Sequence, residues 1–240
     1  MSRYYTLPSK RRSCLGTIAA AIKIGLLLLV GILVVLALLD MPNLPGRLAG
    51  LQADAPTVGL IAGHWQHDSG AVCPDGLEEV EINLQIARHV AQQLRRQGYR
   101  VEVLPEFSPR LNGYRADVLL SIHSDSCIEL SGFKVSRMTQ SAVPEMEDRL
   151  VQLLYEHYAA STGLMPHPDT ITEDMRQYHA LRKIARDTPG AIIECGFMGG
   201  DRHLLTQEQD RAAAGIAGGL AAFVQEQRAL TLDEAASAEP

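Results

Sequence analysis

The chain has 240 residues, enough for one well-buried domain of ordinary size and a short additional segment. The first 39 residues hold five of the 22 basic residues and none of the 28 acidic ones, so residues 40–240 carry 17 − 28 = −11 charges. So acidic a region argues against nucleic acid as a partner and against broad adhesion to anionic lipid.

The N-terminal part of the sequence is apolar over the length of a membrane span. Residues 14–39 read CLGTIAAAIKIGLLLLVGILVVLALL, a run with one charged residue, Lys23. A bilayer core needs about 20 such residues, whereas the apolar region of a cleavable signal peptide has about 7 to 15. We therefore predict an uncleaved transmembrane anchor over residues 13–39. The basic segment 1–12 has no acidic residue and should stay in the cytoplasm, which places the rest of the chain outside the cell membrane.

Two further segments have the composition of irregular chain. Residues 40–56 are rich in Pro, Gly and small residues and are predicted to be a linker. Residues 229–240 are small and acidic, which predicts a disordered tail. One domain, residues 57–228, remains between them.

Within this domain, short apolar runs alternate with longer stretches of helical period. The predicted strands are Thr57–Ala62, Arg100–Leu104, Asp117–Ile122, Phe133–Met138 and Ala191–Glu194, and the predicted helices are 78–98, 143–161, 172–187 and 206–227. This alternation predicts an α/β fold, a mostly parallel twisted sheet with helices on both faces, preceded by the one transmembrane helix.

Side chains that can bind a metal follow three of these strands. His64 comes directly after the first strand, His123 ends the strand ADVLLSIH, and Glu194 ends AIIE. Glu79 begins the first helix, after a loop that leaves the same edge of the sheet. Because sites in such sheets lie at the carboxyl ends of the strands, we expect these four side chains to converge. Two imidazoles and one carboxylate are the ligands of a catalytic zinc, and a second carboxylate can act as general base.

Taken singly, each residue also has an ordinary structural explanation. A histidine after a strand is often a capping or hydrogen-bonded polar residue. Acidic residues are favoured in a first helical turn, so Glu78 and Glu81 compete with Glu79. Glu194 is the stronger candidate, because burying an acid at the end of an apolar strand is costly without a partner.

Together the motifs resemble the zinc-dependent N-acetylmuramoyl-L-alanine amidases of the amidase type 3 class, which cleave peptidoglycan. The resemblance covers nearly the whole domain and follows the family's order. Its segments are GHWQHDSGA (63–71), GLEEVEINL (76–84), LNGYRADVLLSIHSDS (111–126), GFKV (132–135) and PGAIIECGFMGG (189–200).

The resemblance implies that His64, Glu79 and His123 hold one Zn²⁺ per chain and that Glu194 is the catalytic carboxylate. The substrate would be peptidoglycan or muramyl peptides, cleaved between N-acetylmuramic acid and L-alanine. Whether a protein regulator controls the activity stays open.

The sequence departs from the family pattern close to the predicted ligands. Trp65 and Gln66 replace a Gly-Gly pair, which predicts a bulkier loop less able to adopt positive φ. Ser124 and Asp125 stand where the family has Ala-Asn, and MGG replaces ISN. His67 is a weaker alternative to His64.

Several alternatives remain at this stage. The domain could be an inactive wall-binding or regulatory module of the same fold, although none of the four functional residues is missing. It could instead be another zinc amidohydrolase or a carboxypeptidase. His179 and Arg182 could face the cleft, although a solvated helix face is the simpler interpretation. We also predict a Cys73–Cys127 disulfide in an oxidising compartment, the alternative being buried free thiols.

Overall fold

The computed structural model describes residues 23–32 and 55–237, with the side chains of residues 234–236 left out. The chain divides into two compact units, Met1–Asp54 and Ala55–Pro240. The second unit contains the predicted zinc site.

In the first unit, residues 23–32 form a helix with exposed side chains. The remainder of the predicted 13–39 anchor lies outside the described residues, as do the basic segment 1–12 and linker residues 40–54. Within the described part of the chain, no helix is both long enough and apolar enough to span a bilayer.

The second unit is built on a five-stranded sheet in the order β2-β1-β3-β5-β4. The strands are β1 (Thr57–Ala62), β2 (Arg100–Pro105), β3 (Val118–Asp125), β4 (Lys134–Ser136) and β5 (Gly190–Phe197). The first four strands in this order run parallel, and the edge strand β4 is antiparallel to β5. The central strands are apolar runs because both of their faces are covered. The predicted mixed α/β fold with a mostly parallel sheet is confirmed.

Three long helices share one core with one face of this sheet. The helices of the unit are α1 (Glu79–Arg96), α2 (Pro144–Thr162), α3 (Glu173–Arg176), α4 (Arg202–Gln207) and α5 (Gln209–Ser237). The long ones, α1, α2 and α5, bury the apolar residues that recur with helical period in the sequence.

The other face of the sheet is covered differently from the prediction. The helix expected at 172–187 is limited to α3, and the chain then continues in turns to β5. The backbone of this segment forms hydrogen bonds with a neighbouring loop: the Gly113 amide donates to the Lys183 carbonyl, and the Ala185 amide donates to the Tyr114 carbonyl. These contacts replace the bonds of a regular helix, so the α-helix predicted at 172–187 is reduced to the short α3.

The C-terminal helix is also longer than predicted. It runs to Ser237, into the segment 229–240 for which the composition predicts a disordered tail. Ala, Leu and Glu dominate this segment and favour helix even where no core covers them. Residues 238–240 lie outside the described part.

Candidate metal and catalytic site

Three of the predicted site residues meet at the carboxyl edge of the sheet. His64, Glu79 and His123 each offer a ligand atom, and these atoms lie within 4.8 Å of one another. His64 Nε2 is 3.2 Å from Glu79 Oε2, and His123 Nδ1 is 3.1 Å from Glu79 Oε1. One carboxylate therefore lies between two imidazoles, as the positions of these residues in the sequence predict.

The Glu79 carboxylate is fixed by donors from three segments. Asn83 Nδ2 donates to Oε1 over 2.9 Å, the Ser124 amide donates to the same oxygen over 3.3 Å, and the Ala71 amide donates to Oε2 over 3.1 Å. Burial alone would raise the pKa of Glu79, but its hydrogen bonds to His123 and His64 outweigh burial and hold it well below the usual range. Glu79 is therefore ionised.

The two competing acidic residues of this helical turn do not reach the cluster. Glu78 precedes the helix and is partly exposed, and Glu81 is exposed to solvent. Of the three acids, the structure brings Glu79 alone beside both histidines.

The loop after β1 brings His64 to the site through an unusual backbone conformation. His64 has φ 65° and Gln66 has φ 61°, so the expectation that this bulkier loop avoids positive φ is wrong. Such conformations cost about 1 to 3 kcal/mol each and persist where surrounding contacts fix them. Here the His64 carbonyl accepts hydrogen bonds from the His67 and Asp68 amides. The His64 amide donates a hydrogen bond to Glu106 Oε2 over 3.0 Å.

Two glycines of this loop leave room for the site. A Cβ on Gly63 would lie 2.4 Å from Cε1 of the His123 ring, and a Cβ on Gly70 would lie 2.6 Å from Glu79 Oε2. Gly70 also has φ +63°, which favours glycine. At both positions a neighbouring side chain, His123 or Glu79, lies too close to the backbone for any residue with a Cβ.

His123 is buried and surrounded by acceptors. Its Nε2 is 3.1 Å from the Tyr178 hydroxyl oxygen and 3.5 Å from Glu106 Oε2. Burial lowers the pKa of His123, but hydrogen bonds to Glu106 and Glu79 outweigh burial and raise it to about 10. Without a metal, both ring nitrogens therefore carry protons, and a metal has to displace one of them.

Glu106 is a site residue that the sequence reasoning missed. Only 4% of it is exposed, and its Oε1 is 2.5 Å from the Tyr178 hydroxyl and 2.6 Å from His179 Nε2. It follows β2, whose carboxyl end reaches the same edge as the other strands. The strand-end rule that located His123 could therefore have found Glu106 as well.

The remaining histidine and arginine candidates have different environments. His179 bonds to Glu106 and stacks on Phe107, so its interpretation as part of a solvated helix face is wrong. Arg182 is exposed and donates to the Gln177 carbonyl. His67 is about half exposed and contacts Asp68 and Phe107 outside the cluster.

Glu194 lies beside the cluster on β5. It pairs in register with His123 on β3 and with Lys134 on β4. The residue retains some solvent exposure, but its Oε2 atom is buried and has no hydrogen-bond partner among the described residues. Burial raises the pKa of Glu194 to about 7, against the opposing effect of His123.

The predicted disulfide is present. Cys73, between His64 and Glu79 in sequence, is bonded to Cys127, which follows His123 by four residues. The bond joins the loop between His64 and Glu79 to the loop that follows β3 and His123. Cys195 is a buried free cysteine.

The chemistry of these groups fits a catalytic zinc. Two imidazoles and one carboxylate leave one position of a tetrahedral zinc open, as in hydrolytic sites. The buried, unpartnered oxygen of Glu194 is the kind of polar atom that a metal-bound or substrate group would satisfy.

A model of the N-acetylmuramoyl-L-alanine amidase family matches residues 58–222, more than half of the chain. The chain therefore belongs to this family, as the motifs indicate.

Known relatives agree with this assignment. The chain is 37% identical over 91 residues to the N-acetylmuramoyl-L-alanine amidase AmiC of Neisseria meningitidis serogroup B, and the match covers 34% of this chain but only 21% of AmiC. The solved amidase from Clostridium difficile 630 has a TM-score of 0.57 and 22% identity, over 72% of this chain and 98% of that one. AmiC2 of Nostoc punctiforme has a TM-score of 0.54 and 25% identity, over 71% and 97%.

Proposed function

We propose that this protein is a zinc-dependent amidase that hydrolyses the bond between N-acetylmuramic acid and L-alanine in peptidoglycan or muramyl peptides. The observation that carries the proposal is the cluster of His64, Glu79 and His123 with the unpartnered carboxylate of Glu194 beside it. Family membership supplies the substrate class. His64, Glu79 and His123 would hold one zinc ion.

When bound, zinc would supply Lewis acidity, lowering the pKa of a water molecule and polarising the substrate carbonyl. Glu194 would take a proton from the water that attacks the lactyl carbonyl carbon. The same side chain would return the proton to the amide nitrogen as the carbon–nitrogen bond breaks. In the metal-free protein, burial raises the pKa of Glu194 to about 7, and a carboxyl group shifted in this direction favours both taking up and returning a proton near neutral pH.

The lysine beside Glu194 in the sheet is engaged with other acceptors. Lys134, its neighbour on β4, is buried and pairs with Asp125 over 2.5 Å. The Lys134 ammonium also donates to the Thr170 carbonyl and hydroxyl, which occupies all of its protons. Glu194 is therefore free to exchange a proton with the reacting groups instead of forming an ion pair.

The N-terminal segment supports the second part of the proposal, that residues 13–39 tether the catalytic domain outside the cell membrane. Its support is the 26-residue apolar run with basic residues on one side only. The Cys73–Cys127 disulfide is in keeping with an oxidising compartment. Carbonate washing of cell membranes, with protease digestion of intact spheroplasts, would test both the anchoring and the orientation.

The activity test uses the full chain in detergent with purified peptidoglycan and a muramyl peptide. We expect new L-alanine amino termini, loss of release with EDTA, and recovery with added zinc. Glu79→Gln should abolish zinc binding, while Glu81→Gln, a change on the exposed side of the same helical turn, should leave it unchanged. Glu194→Gln should retain zinc and lose turnover.

Two outcomes would contradict the proposal. A protein that binds one zinc ion but releases no stem peptide would be a wall-binding module or a different zinc hydrolase. A protein that retains no zinc would refute the ligand assignment.

A further inference from the structure

Each histidine of the cluster has an acceptor on the ring nitrogen that faces away from Glu79. For His64, Nε2 faces Glu79 and Nδ1 is 2.5 Å from Asp68 Oδ1. For His123, Nδ1 faces Glu79 and Nε2 faces the Tyr178 hydroxyl and Glu106. Metal-binding histidines commonly have such an acceptor behind them, which fixes the ring and its tautomer.

The hydroxyl of Tyr178 has a defined set of partners. It has one proton to donate and two lone pairs. Besides His123, it contacts two groups, Ser121 Oγ at 2.9 Å and the Glu106 carboxylate at 2.5 Å, so these three partners satisfy it. Because a carboxylate can only accept, Tyr178 donates its proton to Glu106 and must accept from Ser121 and His123. This arrangement places a proton on His123 Nε2 and leaves Nδ1 for the metal.

Glu106 also acts on the other histidine. Its Oε2 accepts the backbone amide proton of His64, a residue with φ 65°. A single buried carboxylate therefore contacts one predicted ligand through its backbone and the other through its ring. His179 Nε2, 2.6 Å from Oε1, holds the far side of the same carboxylate.

We propose that Glu106, together with Tyr178, is a positioning residue that sets the orientation and tautomer of His123 and the backbone of His64 for metal binding. The inference rests on the proposed zinc site and adds to it a second layer that the amidase motifs in this sequence do not contain. Glu106 and Tyr178 act through His123 and His64.

The test measures zinc affinity of the full chain by competition with a chromogenic chelator. Glu106→Gln has nearly the same shape but replaces an acceptor with an amide donor, and we expect zinc binding to weaken about 10- to 100-fold. Tyr178→Phe keeps the ring packing and should weaken zinc binding in the same direction. Glu106→Asp retains the charge and should bind zinc more tightly than Glu106→Gln.

A surface carboxylate on β2, the strand that Glu106 follows, provides the matched control. Glu102 pairs with Arg110 at the surface, and Glu102→Gln should leave zinc affinity unchanged. Substitution of zinc by Co²⁺ gives a second readout, because its visible absorption reports ligand geometry. We expect a changed band in Glu106→Gln and Tyr178→Phe and the wild-type band in Glu102→Gln.

The outcomes separate this inference from the proposed function. If the wild type binds zinc and both Glu106→Gln and Tyr178→Phe bind it with equal affinity and an unchanged Co²⁺ band, the positioning role is refuted while the zinc site stands. The same holds if these variants only lower the free energy of unfolding. If the wild type binds no zinc, both proposals fail.

Discussion

Replacing Glu194 with Gln should remove activity and stabilise the metal-free fold. Burial raises the pKa of Glu194 from 4.5 to about 7, so the native state holds its proton more tightly than the unfolded state does. As pH rises from about 4.5 to about 7, the unfolded chain loses this proton first and the free energy of unfolding falls. A shift of that size corresponds to about 3 kcal/mol, and the residue's partial exposure reduces our expectation to about 1 to 3 kcal/mol. Gln avoids this penalty.

Urea denaturation of metal-free wild type and Glu194→Gln between pH 5 and pH 8 would measure the difference. We expect the variant's advantage to grow up to about pH 7 and then to level off. Glu81→Gln, at an exposed position, should show no such trend. Equal stability of wild type and Glu194→Gln at pH 8 would mean that the buried oxygen has a partner in solution, and would refute the reasoning.

Three further changes test other parts of the site. Gly63→Ala should weaken zinc binding at least about 10-fold in a chelator competition, because its methyl group would lie 2.4 Å from a His123 ring atom, and wild-type affinity would contradict this packing. The double change Cys73→Ser with Cys127→Ser should lower the free energy of unfolding by about 4 kcal/mol for a sequence separation of 54, as measured by urea denaturation under non-reducing conditions; unchanged stability would show unpaired thiols in the wild type. Zinc at about 100 times its Kd should stabilise the wild type by about 2.7 kcal/mol in thermal unfolding and leave His123→Ala unaffected, so an equal response of both would exclude His123 as a ligand.

The sequence predicted the site best where a metal-binding or acidic side chain stands at the end of a strand. His64, His123 and Glu194 follow or end apolar runs, and parallel strands bring such ends to one edge. Glu106 obeys the same rule, but it lies in the segment PEF after β2, outside the motifs that drew attention to the others. Its importance appears only when Tyr178, distant in sequence, is placed beside it.

The wrong helix at 172–187 has a specific cause. Met175, Tyr178, Leu181 and Ile184 recur every three residues, close to the helical repeat of about 3.6, and all four are buried in the core on the second face of the sheet. Successive turns can bury side chains at this spacing without a continuous helix. The periodicity could not predict that the backbone of this segment forms hydrogen bonds with a neighbouring loop instead of within a helix.

A disulfide on one face of the sheet and a set of hydrogen bonds on the other face hold the site in place. Cys73 belongs to the core beneath the three long helices, and its disulfide ties the Glu79 side of the cluster to the loop after β3. Tyr178 belongs to the core on the other face and, with Glu106, holds His123 by hydrogen bonds. A reducing agent breaks the disulfide but leaves these hydrogen bonds intact. The disulfide acts mainly by restricting the unfolded chain, whereas the hydrogen bonds act on the side chain of His123, the proposed ligand, in the folded state. Reducing agents should therefore lower the stability of the fold more than they lower its affinity for zinc.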